Sequence, residues 1–533
     1  MSNRAKIVDQ CSIPCNNEQD EWRTAPPTAV SIKARIRKQV DEIFAFLEEN
    51  GRPGPFRAVE KRLIPLVFAL GRLFLAYYLA RMHEKSRGTI EKTQSVGFQV
   101  RRPQPRRVGT FFGKVRYWRT YLRRSGGGGG VYPLDVALAL AADGFSLHVM
   151  SLAARLATMV TYDQAATILF NFLGWSPSKM SIEKTVLGFG RFTLEWFASA
   201  PAPKGDGDVL VIQVDSKAAP TATEEELKKR RQKRAKRVLA DSPRHRGRAK
   251  RRRLGPRRRR KKGDKSKNGR AATMLVMYTL RTVATHMGRK ILAGPINRKV
   301  YASFAPKRHA FEIARREANK RGFTPESGKR IQIVSDGDDD LEIYGRDLFP
   351  EAIHTLDLYH AKEYLWKAGE CLHREGSDEL KAWVKQIEGL ILGGKVEKVV
   401  EELRNEAKKI PRRGPWNINR RKRLESAANY LGKRVHMMDY PWLRAQDLEV
   451  ASGSVEGAVK HVIAKRFDNG SMRWIRERAE ALLQLRCIEV NDDWEKFIEF
   501  VHAKVERDLQ RRSAGCRIMS WVPGPLPSIA VSA

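Results

Sequence analysis

The sequence predicts an α/β protein whose centre is a mixed sheet with helices on its faces, combined with long helical regions. Three observations carry this. Short runs of Val, Leu and Ile end at Asp215 in "DVLVIQVDSKAAPT" and at Asp336 in "RIQIVSD"; such runs are too short for helices and typical of buried strands. Three expected strands come first, then the helical "KRHAFEIARREANKRG", a fourth strand "RIQIVSD" and a fifth, "IHTLD". Strands first and crossovers later make a mixed, five-stranded sheet. From Leu358 to about Asp447 the pattern is helical and charged throughout, as in "SDELKAWVKQIEGLILGGKVEKVVEELRNEAKK".

Composition narrows the partners. A chain of 533 residues is long enough for about two to four domains and at least one large core. Lys and Arg number 101 against 60 Asp and Glu, a net charge of +41 and a pI near 10.3. That field favours polyanions, nucleic acid first and an anionic membrane surface second. The five cysteines, Cys11, Cys15, Cys371, Cys487 and Cys516, are scattered and suggest no disulfide scaffold. Cys11 and Cys15 lack a second pair, so no structural zinc is expected. The N-terminus carries no apolar signal core. "LIPLVFALGRLFLAYYLARM", from Leu63, is apolar enough to raise a membrane span, but Arg72 sits in its middle at a cost of roughly 3 kcal/mol in a bilayer. A buried helix in a soluble, reducing-compartment protein is the expectation.

In chain order, residues 1–54 are polar with scattered prolines and are expected to be partly disordered. Residues 55–125 read as helix followed by a basic hairpin, since "GFQVRRPQPRRVGTFFGKVRYWRTYLRR" alternates Val, Phe, Tyr and Arg. The glycine run 126–130 reads as a hinge without regular structure. Residues 131–205 are helical again. Within them "TYDQAATILFNFLGWSPSKMSIEKTVLGFG" has a break at Gly174 to Ser176, then a second helix carrying Lys179 and Lys184. Two readings fit: a helix-turn-helix whose second helix enters a DNA major groove through those lysines, or a helical hairpin packed on a neighbour.

The next segments are 206–365 for the first part of the sheet domain, 366–450 for an all-helical insertion, and 451–510 for the second part, whose core helix runs from "MRWIRERAEALLQLRCIEVNDDW" onward. A Pro- and Ser-rich tail, 511–533, ends the chain. Between the first two strands lies the most basic stretch. From Lys228 to Arg270 it holds 24 Lys or Arg against only Asp241 and Asp264. Such a block repels itself and should lack structure without a polyanion. Its densest part, Arg251, Arg252, Arg253, Arg257, Arg258, Arg259 and Arg260, should bind phosphates and specify little sequence.

Carboxylates at the carboxyl ends of neighbouring strands converge at one edge of a sheet. If the strands ending at Asp215 and Asp336 are adjacent, the two side chains repel unless a hard cation such as magnesium or manganese lies between them. A pair of such ions, about 3.5–4 Å apart, activates a nucleophile and stabilises a leaving oxygen in phosphodiester chemistry. The plainer reading of a lone strand-end Asp is a turn or helix cap. A third carboxylate, Glu456, stands early in a helix in "ASGSVEGAVKH", with Lys460 one turn on. It reads equally as an i,i+4 partner of Lys460 or as a capping glutamate. Asp338, Asp339 and Asp340 begin the helix after Asp336, where acidic residues complement the dipole. Asp357 is placed to cap "LYHAKEYLW", with His360 on its first turn.

The ordered motifs "GGGGVYPLD", "VDSK", "VSDG", "LDLYHAKEYLW", "SGSVEG" and "GSMRW…LLQLR" resemble the ISKra-type bacterial insertion-sequence transposases, relatives of the Mutator group, over about Pro55 to Phe500. The resemblance implies an RNase H-like fold with a DDE triad: Asp215 of "VDSK", Asp336 of "VSDG" and Glu456 of "SGSVEG", holding two Mg2+ or Mn2+ ions. It implies an auxiliary role for Asp357 and His360, which match a Cys-or-Asp, two residues, His motif, and DNA contact at Lys460. It also implies double-stranded DNA partners (transposon terminal inverted repeats and target), a homo-oligomer in the synaptic complex, no membrane, and a cytoplasmic, nucleoid-associated location in bacteria. The expected activity is metal-dependent cleavage at transposon ends and strand transfer. The alternatives are a domesticated, catalytically inactive DNA-binding protein and an RNase H-like nuclease that never joins strands. The basic block interrupts the hairpin after Asp215 at a length that departs from the family pattern.

Overall fold

The computed structural model describes residues 25–48, 55–92, 98–127, 129–140, 143–226, 228–229, 231–232, 270–468 and 474–512. The chain divides into two compact units, Met1–Thr185 with Glu495–Ala533, and Val186–Trp494.

The first unit opens with two helices, α1 (Ala29–Glu48) and α2 (Phe56–Lys92). Helix α1 falls where partial disorder was expected. Its polar composition hides a stripe, Ala29, Ile32 and Ile36, that is buried at helical spacing. Ile32 and Ile36 pack in one cluster with Ala76 and Leu79 of α2 and with Val108, Val115 and Tyr117 of the following hairpin. Helix α2 contains the apolar stretch from Leu63 and is, among the described residues, the one helix long and apolar enough to cross a membrane. Arg72 in its middle donates to the Phe112 carbonyl at 3.0 Å. The expectation of a buried helix needs correcting, because Ile64, Val67 and Phe74 remain about half exposed.

The basic hairpin is formed by β2 (Gln104–Thr110) and β3 (Gly113–Arg119), flanked by β1 (Phe98–Val100), β4 (Leu122–Arg124) and β5 (Gly130–Val131). Arg106 and Arg119 turn inward onto buried Asp135, which also accepts from the Tyr117 hydroxyl at 2.7 Å. The glycine run is not a hinge without structure. Gly127 and Gly129, at φ 86° and 92°, turn the chain so that Gly130 pairs with Arg123. After α3 (Pro133–Ala137) come α4 (Leu147–Met159), α5 (Tyr162–Leu173) and α6 (Lys179–Gly190). The expected break stands at Gly174, a left-handed residue that accommodates the end of α5.

The second unit, after α7 (Thr193–Ser199), is built on a five-stranded mixed sheet. Its strands are β6 (Val209–Ala219), β8 (Arg270–Ala284), β9 (Lys290–Ser303), β10 (Arg330–Ser335) and β11 (Ile353–Leu356), in spatial order β11-β10-β6-β8-β9. β10 runs parallel to both β6 and β11, whereas β6–β8 and β8–β9 are antiparallel. The apolar runs that predicted strands are the core: Val209 to Ile212, Met274 to Met277 and Ile331, Ile333 and Val334 are buried. Helix α8 (Lys307–Lys320) covers them through Ala310, Phe311, Ala314 and Ala318.

Helix α9 (Asp339–Leu348) joins β10 to β11. The insertion is helical throughout: α10 (Leu358–Gly369), α11 (Asp378–Leu392), α12 (Val396–Lys409), α13 (Pro415–Lys433) and α14 (Tyr440–Ala445). Then α15 (Gly453–Ala458) runs into a π-helical turn, Val459–Ala464, and a short α16 (Lys465–Phe467). Strand β12 (Trp474–Ile475) pairs in parallel with β7 (Thr221–Ala222). The expected continuous C-terminal helix is two helices, α17 (Arg476–Val490) and α18 (Trp494–Arg512), and most of α18 belongs to the first unit. The interruption frees Asn491 to bond both the N–H and the carbonyl of Val300 on β9, at 2.7 and 2.9 Å.

Candidate active site

Register brings the aspartates together, although Asp215 does not end its strand as expected: β6 runs on to Ala219, still paired with β8, whereas β10 stops at Ser335, just before Asp336. Val214 of β6 pairs with Ser335 of β10, and Ser335 pairs with Leu356 of β11. The next residue on each strand is Asp215, Asp336 and Asp357. Side chains alternate along a strand, and paired residues share a face. Asp215, Asp336 and Asp357 therefore lie on one face together with Gln213, Gln332 and Thr355.

The three differ in how their charge is satisfied. Asp215 is half-buried and accepts from the Ser216 N–H at 2.6 Å. Burial, and then the nearby carboxylates of Asp336 and Asp357, push its pKa above the usual carboxylate value, against the pull of that N–H and of His360. Asp336, also half-buried, accepts from the Asp338 N–H at 2.9 Å, and its carbonyl takes the Tyr430 hydroxyl at 2.7 Å. The turn after it needs a left-handed residue, supplied by Gly337 at φ 73°. Asp338 caps α9 by accepting from the Asp340 N–H, as expected for an acidic helix start.

Asp357 is almost fully buried and its oxygens are in use. Oδ1 accepts from the N–H groups of Tyr359 and Ser452, both at 3.0 Å, and Oδ2 from the Ser452 hydroxyl. The Nδ1 of His360 lies 3.4 Å from Oδ2. Burial alone would raise the Asp357 pKa, but these bonds outweigh it and hold it below the ordinary value. The same contact with Asp357, opposed by burial and reinforced by Asp336, raises that of His360. Asp357 thus caps α10, as the sequence predicts, and also ties α10 to the loop ahead of α15.

That loop is stitched to the sheet by a buried polar network. Gln332 exchanges two bonds with the backbone of Glu449, at 2.7 and 3.0 Å, and donates to Thr355 at 2.9 Å. Gln213 donates to the Tyr278 hydroxyl at 2.9 Å and accepts from the Val455 N–H at 3.0 Å. Tyr278 in turn donates to Glu449 at 2.9 Å. Sequence reasoning missed Gln213, Gln332 and Ser452. Their signal was available: each glutamine is the polar interruption of an apolar run that ends in an aspartate, and Ser452 opens "SGSVEG".

Glu456 follows Val455 on α15, so its backbone is pinned near Gln213, two residues before Asp215. Its side chain is exposed and accepts from Lys460 at 2.7 Å, the i,i+4 pairing that the sequence left open. Among the described residues no group of three or more His, Cys, Asp or Glu is arranged to hold a metal ion. Asp215 and Asp336 do fit a hard cation: both are oxygen donors, and the Asp336 charge adds to burial in raising the Asp215 pKa.

The predicted DNA contacts belong to different parts of the chain. Lys179 pairs with Asp163 at 2.6 Å across the break between α5 and α6, while Lys184 is exposed on α6. Lys460 is exposed and holds Glu456. Arg251, Arg252, Arg253, Arg257, Arg258, Arg259 and Arg260 lie outside the described residues. Compared with known proteins, the chain matches no family model, and no curated sequence matches it.

Proposed function

We propose that the chain is a DDE transposase with an RNase H-like core, cutting DNA at element ends and joining the freed ends to target DNA. One observation carries the reading: Asp215 and Asp336 directly follow Val214 and Ser335, which pair on adjacent parallel strands. Three more support it. The sheet is mixed and five-stranded, a helical insertion stands between β11 and the helix of Glu456, and the chain carries a net charge of +41.

In this reading Asp215 and Asp336 hold magnesium or manganese, and Glu456 joins them as the third ligand. Bound there, two ions supply an activated water or 3′-hydroxyl and stabilise the leaving oxygen. The chain's own part is positional. The sheet register sets the two aspartates side by side, and the network of Gln213, Gln332, Asp357 and Ser452 holds the helix of Glu456 over the same face. His360, whose protonated form is favoured by its contact with Asp357 and by the Asp336 charge, would donate to a phosphate oxygen entering the site. The basic stretch 228–270 and Lys184 bind phosphates of the duplex. Double-stranded DNA as partner, assembly as a homo-oligomer and a nucleoid-associated, cytoplasmic location belong to the same proposal.

A second reading, a DNA-binding protein without catalysis, is favoured by the Glu456–Lys460 pair, in which the third carboxylate already has a partner. Incubating the full-length protein with DNA that carries the flanks of its gene, with manganese or with a chelator, separates the two. Metal-dependent nicks support the first, and binding without nicks supports the second. Nicks without joined products would indicate a nuclease that lacks strand transfer.

A further inference from the structure

Between α10 and α13 lies a cleft of about 940 Å³, within the usual range for a ligand site. Its lining is unlike a core. On α13, Trp416, Asn419, Arg420 and Arg423 recur at i, i+3, i+4 and i+7, so they share one stripe of the helix. A stripe packed against a neighbouring helix is normally apolar, and this one is polar and cationic. Five Lys or Arg line the cleft against two glutamates, Glu370 and Glu375. Glu370 is already engaged by Arg423 at 3.5 Å. The cleft is therefore a built, electropositive surface rather than a packing defect.

Two of its features point to a specific class of ligand. Trp416 is 77% exposed, although it lines the cleft. An indole held in solvent beside cations offers a stacking face to a flat ring and charge to its phosphates. Arg420 is fixed in orientation, because its Nε donates to the Cys371 carbonyl at 2.7 Å and its Nη2 bonds the same oxygen. Tyr364, another lining residue, stacks on Tyr430 with ring centroids 3.8 Å apart and planes 8° from parallel. The Tyr430 hydroxyl donates to the carbonyl of Asp336. One aromatic pair thus separates the cleft from the candidate active strand end.

We propose that this cleft binds unpaired nucleotides of a DNA strand, with a base stacked on Trp416 and its phosphates on Arg374 and Lys422. A base inside a duplex has both faces covered by its neighbours, so the cleft discriminates for unpaired nucleotides over paired ones. The proposal deepens the DNA-processing reading of the adjacent site and rests on it for biological sense, yet it concerns binding alone.

The test uses full-length protein in chelator, so that cleavage plays no part in the readout. The probes are a blunt DNA duplex and the same duplex with a three-nucleotide single-stranded overhang carrying 2-aminopurine. The expected result is tighter binding of the overhang duplex, with quenching of the 2-aminopurine as it stacks. Trp416→Ala should weaken overhang binding by about fivefold or more, abolish the quenching and leave the blunt duplex unaffected. Trp416→Phe should keep part of both effects. Equal loss on both duplexes, or no loss on the overhang, would overturn the assignment. So would displacement of the overhang by poly-glutamate as readily as by oligo-dT, which would mark a site for acidic peptide. A chain that never cuts DNA but shows the overhang preference would leave this inference standing while the cleavage reading fell.

Discussion

Asp357 holds Ser452 with both carboxylate oxygens: Oδ1 accepts the Ser452 N–H at 3.0 Å and Oδ2 accepts its hydroxyl. The two residues are 95 positions apart, with the whole helical insertion between them. The Leu358 N–H adds a bond to the Val450 carbonyl at 3.1 Å. The insertion therefore leaves and re-enters the sheet domain at a single clasp, and the helix that carries Glu456 starts from it.

Breaking the clasp should destabilise the sheet domain before it alters any DNA contact. Ser452→Ala removes one bond to a buried charge and should cost about 1.5–3 kcal/mol. Asp357→Ala leaves several buried donors without an acceptor and should cost more. Because the Asp357 pKa is depressed, its contribution is present above the unfolded carboxylate value, near 3.9, and is lost as pH falls through the folded value. Thermal unfolding of the full chain at neutral pH checks this, with a Tm drop of several degrees expected for either variant. Unchanged unfolding would mean that the clasp does not hold the domain.

Gln332→Met should act in the same direction for a different reason. It keeps the volume but leaves the Glu449 backbone groups and Thr355 unsatisfied in a buried setting. The expected cost is about 1–3 kcal/mol, read by chemical denaturation. A neutral or stabilising effect would show that the loop repacks without the glutamine.

How much of this could be read in advance follows from the range of the interactions. The strands leading to Asp215 and Asp336 were legible because an apolar run announces a buried strand locally, and so was the α9 start at Asp338; the run of β6 on to Ala219 was not, because the pairing with β8 that extends it is not local. Gln213 and Gln332 were visible only as interruptions; that they share a face with the aspartates depends on a register between distant segments. Helix α1 was missed because Ile32 and Ile36 are too few to outweigh polar neighbours until α2 is there to cover them. The break at Asn491 serves Val300, far away in sequence, and nothing local demands it. The Glu456 ion pair turns on the side-chain conformation, so the sequence could only leave it open.

The first unit should respond to mild acid through His83. This side chain is buried, lies 3.4 Å from the Thr120 hydroxyl, and is held down to a pKa of about 4 by burial and by the Arg87 charge. The folded value is below the unfolded one, near 6.5, so the unfolded chain binds the extra proton. Stability is whole above pH 6.5 and falls as pH drops toward 4, on the order of 2 kcal/mol by pH 5. His83→Gln should flatten that part of the stability–pH curve in calorimetry from pH 7 to pH 5. A slope equal to that of the parent would remove His83 from the account.

The basic stretch predicts a salt effect. Replacing residues 233–269 by a short Gly-Ser linker should weaken binding equally for specific and random DNA. It should also flatten the salt dependence by about 0.9 in log–log slope for each phosphate that the variant no longer neutralises. The sheet should stay folded, since closing a shorter loop between β6 and β8 costs slightly less entropy. Binding isotherms over a salt series decide it: an unchanged slope, or a loss confined to one sequence, would rule out a phosphate-binding role.

Asp215 and Asp336, set side by side by the pairing of Val214 with Ser335, are the groups proposed to do metal-dependent chemistry on DNA. The most direct measurement compares the parent chain with Asp336→Asn on supercoiled DNA bearing the flanks of the gene, in magnesium, with DNA affinity measured in parallel. Nicking and joining by the variant should fall to background while its affinity stays within about twofold of the parent, because Asn keeps the shape of the strand end but gives up the charge that holds a hard cation. Equal nicking by variant and parent would contradict it.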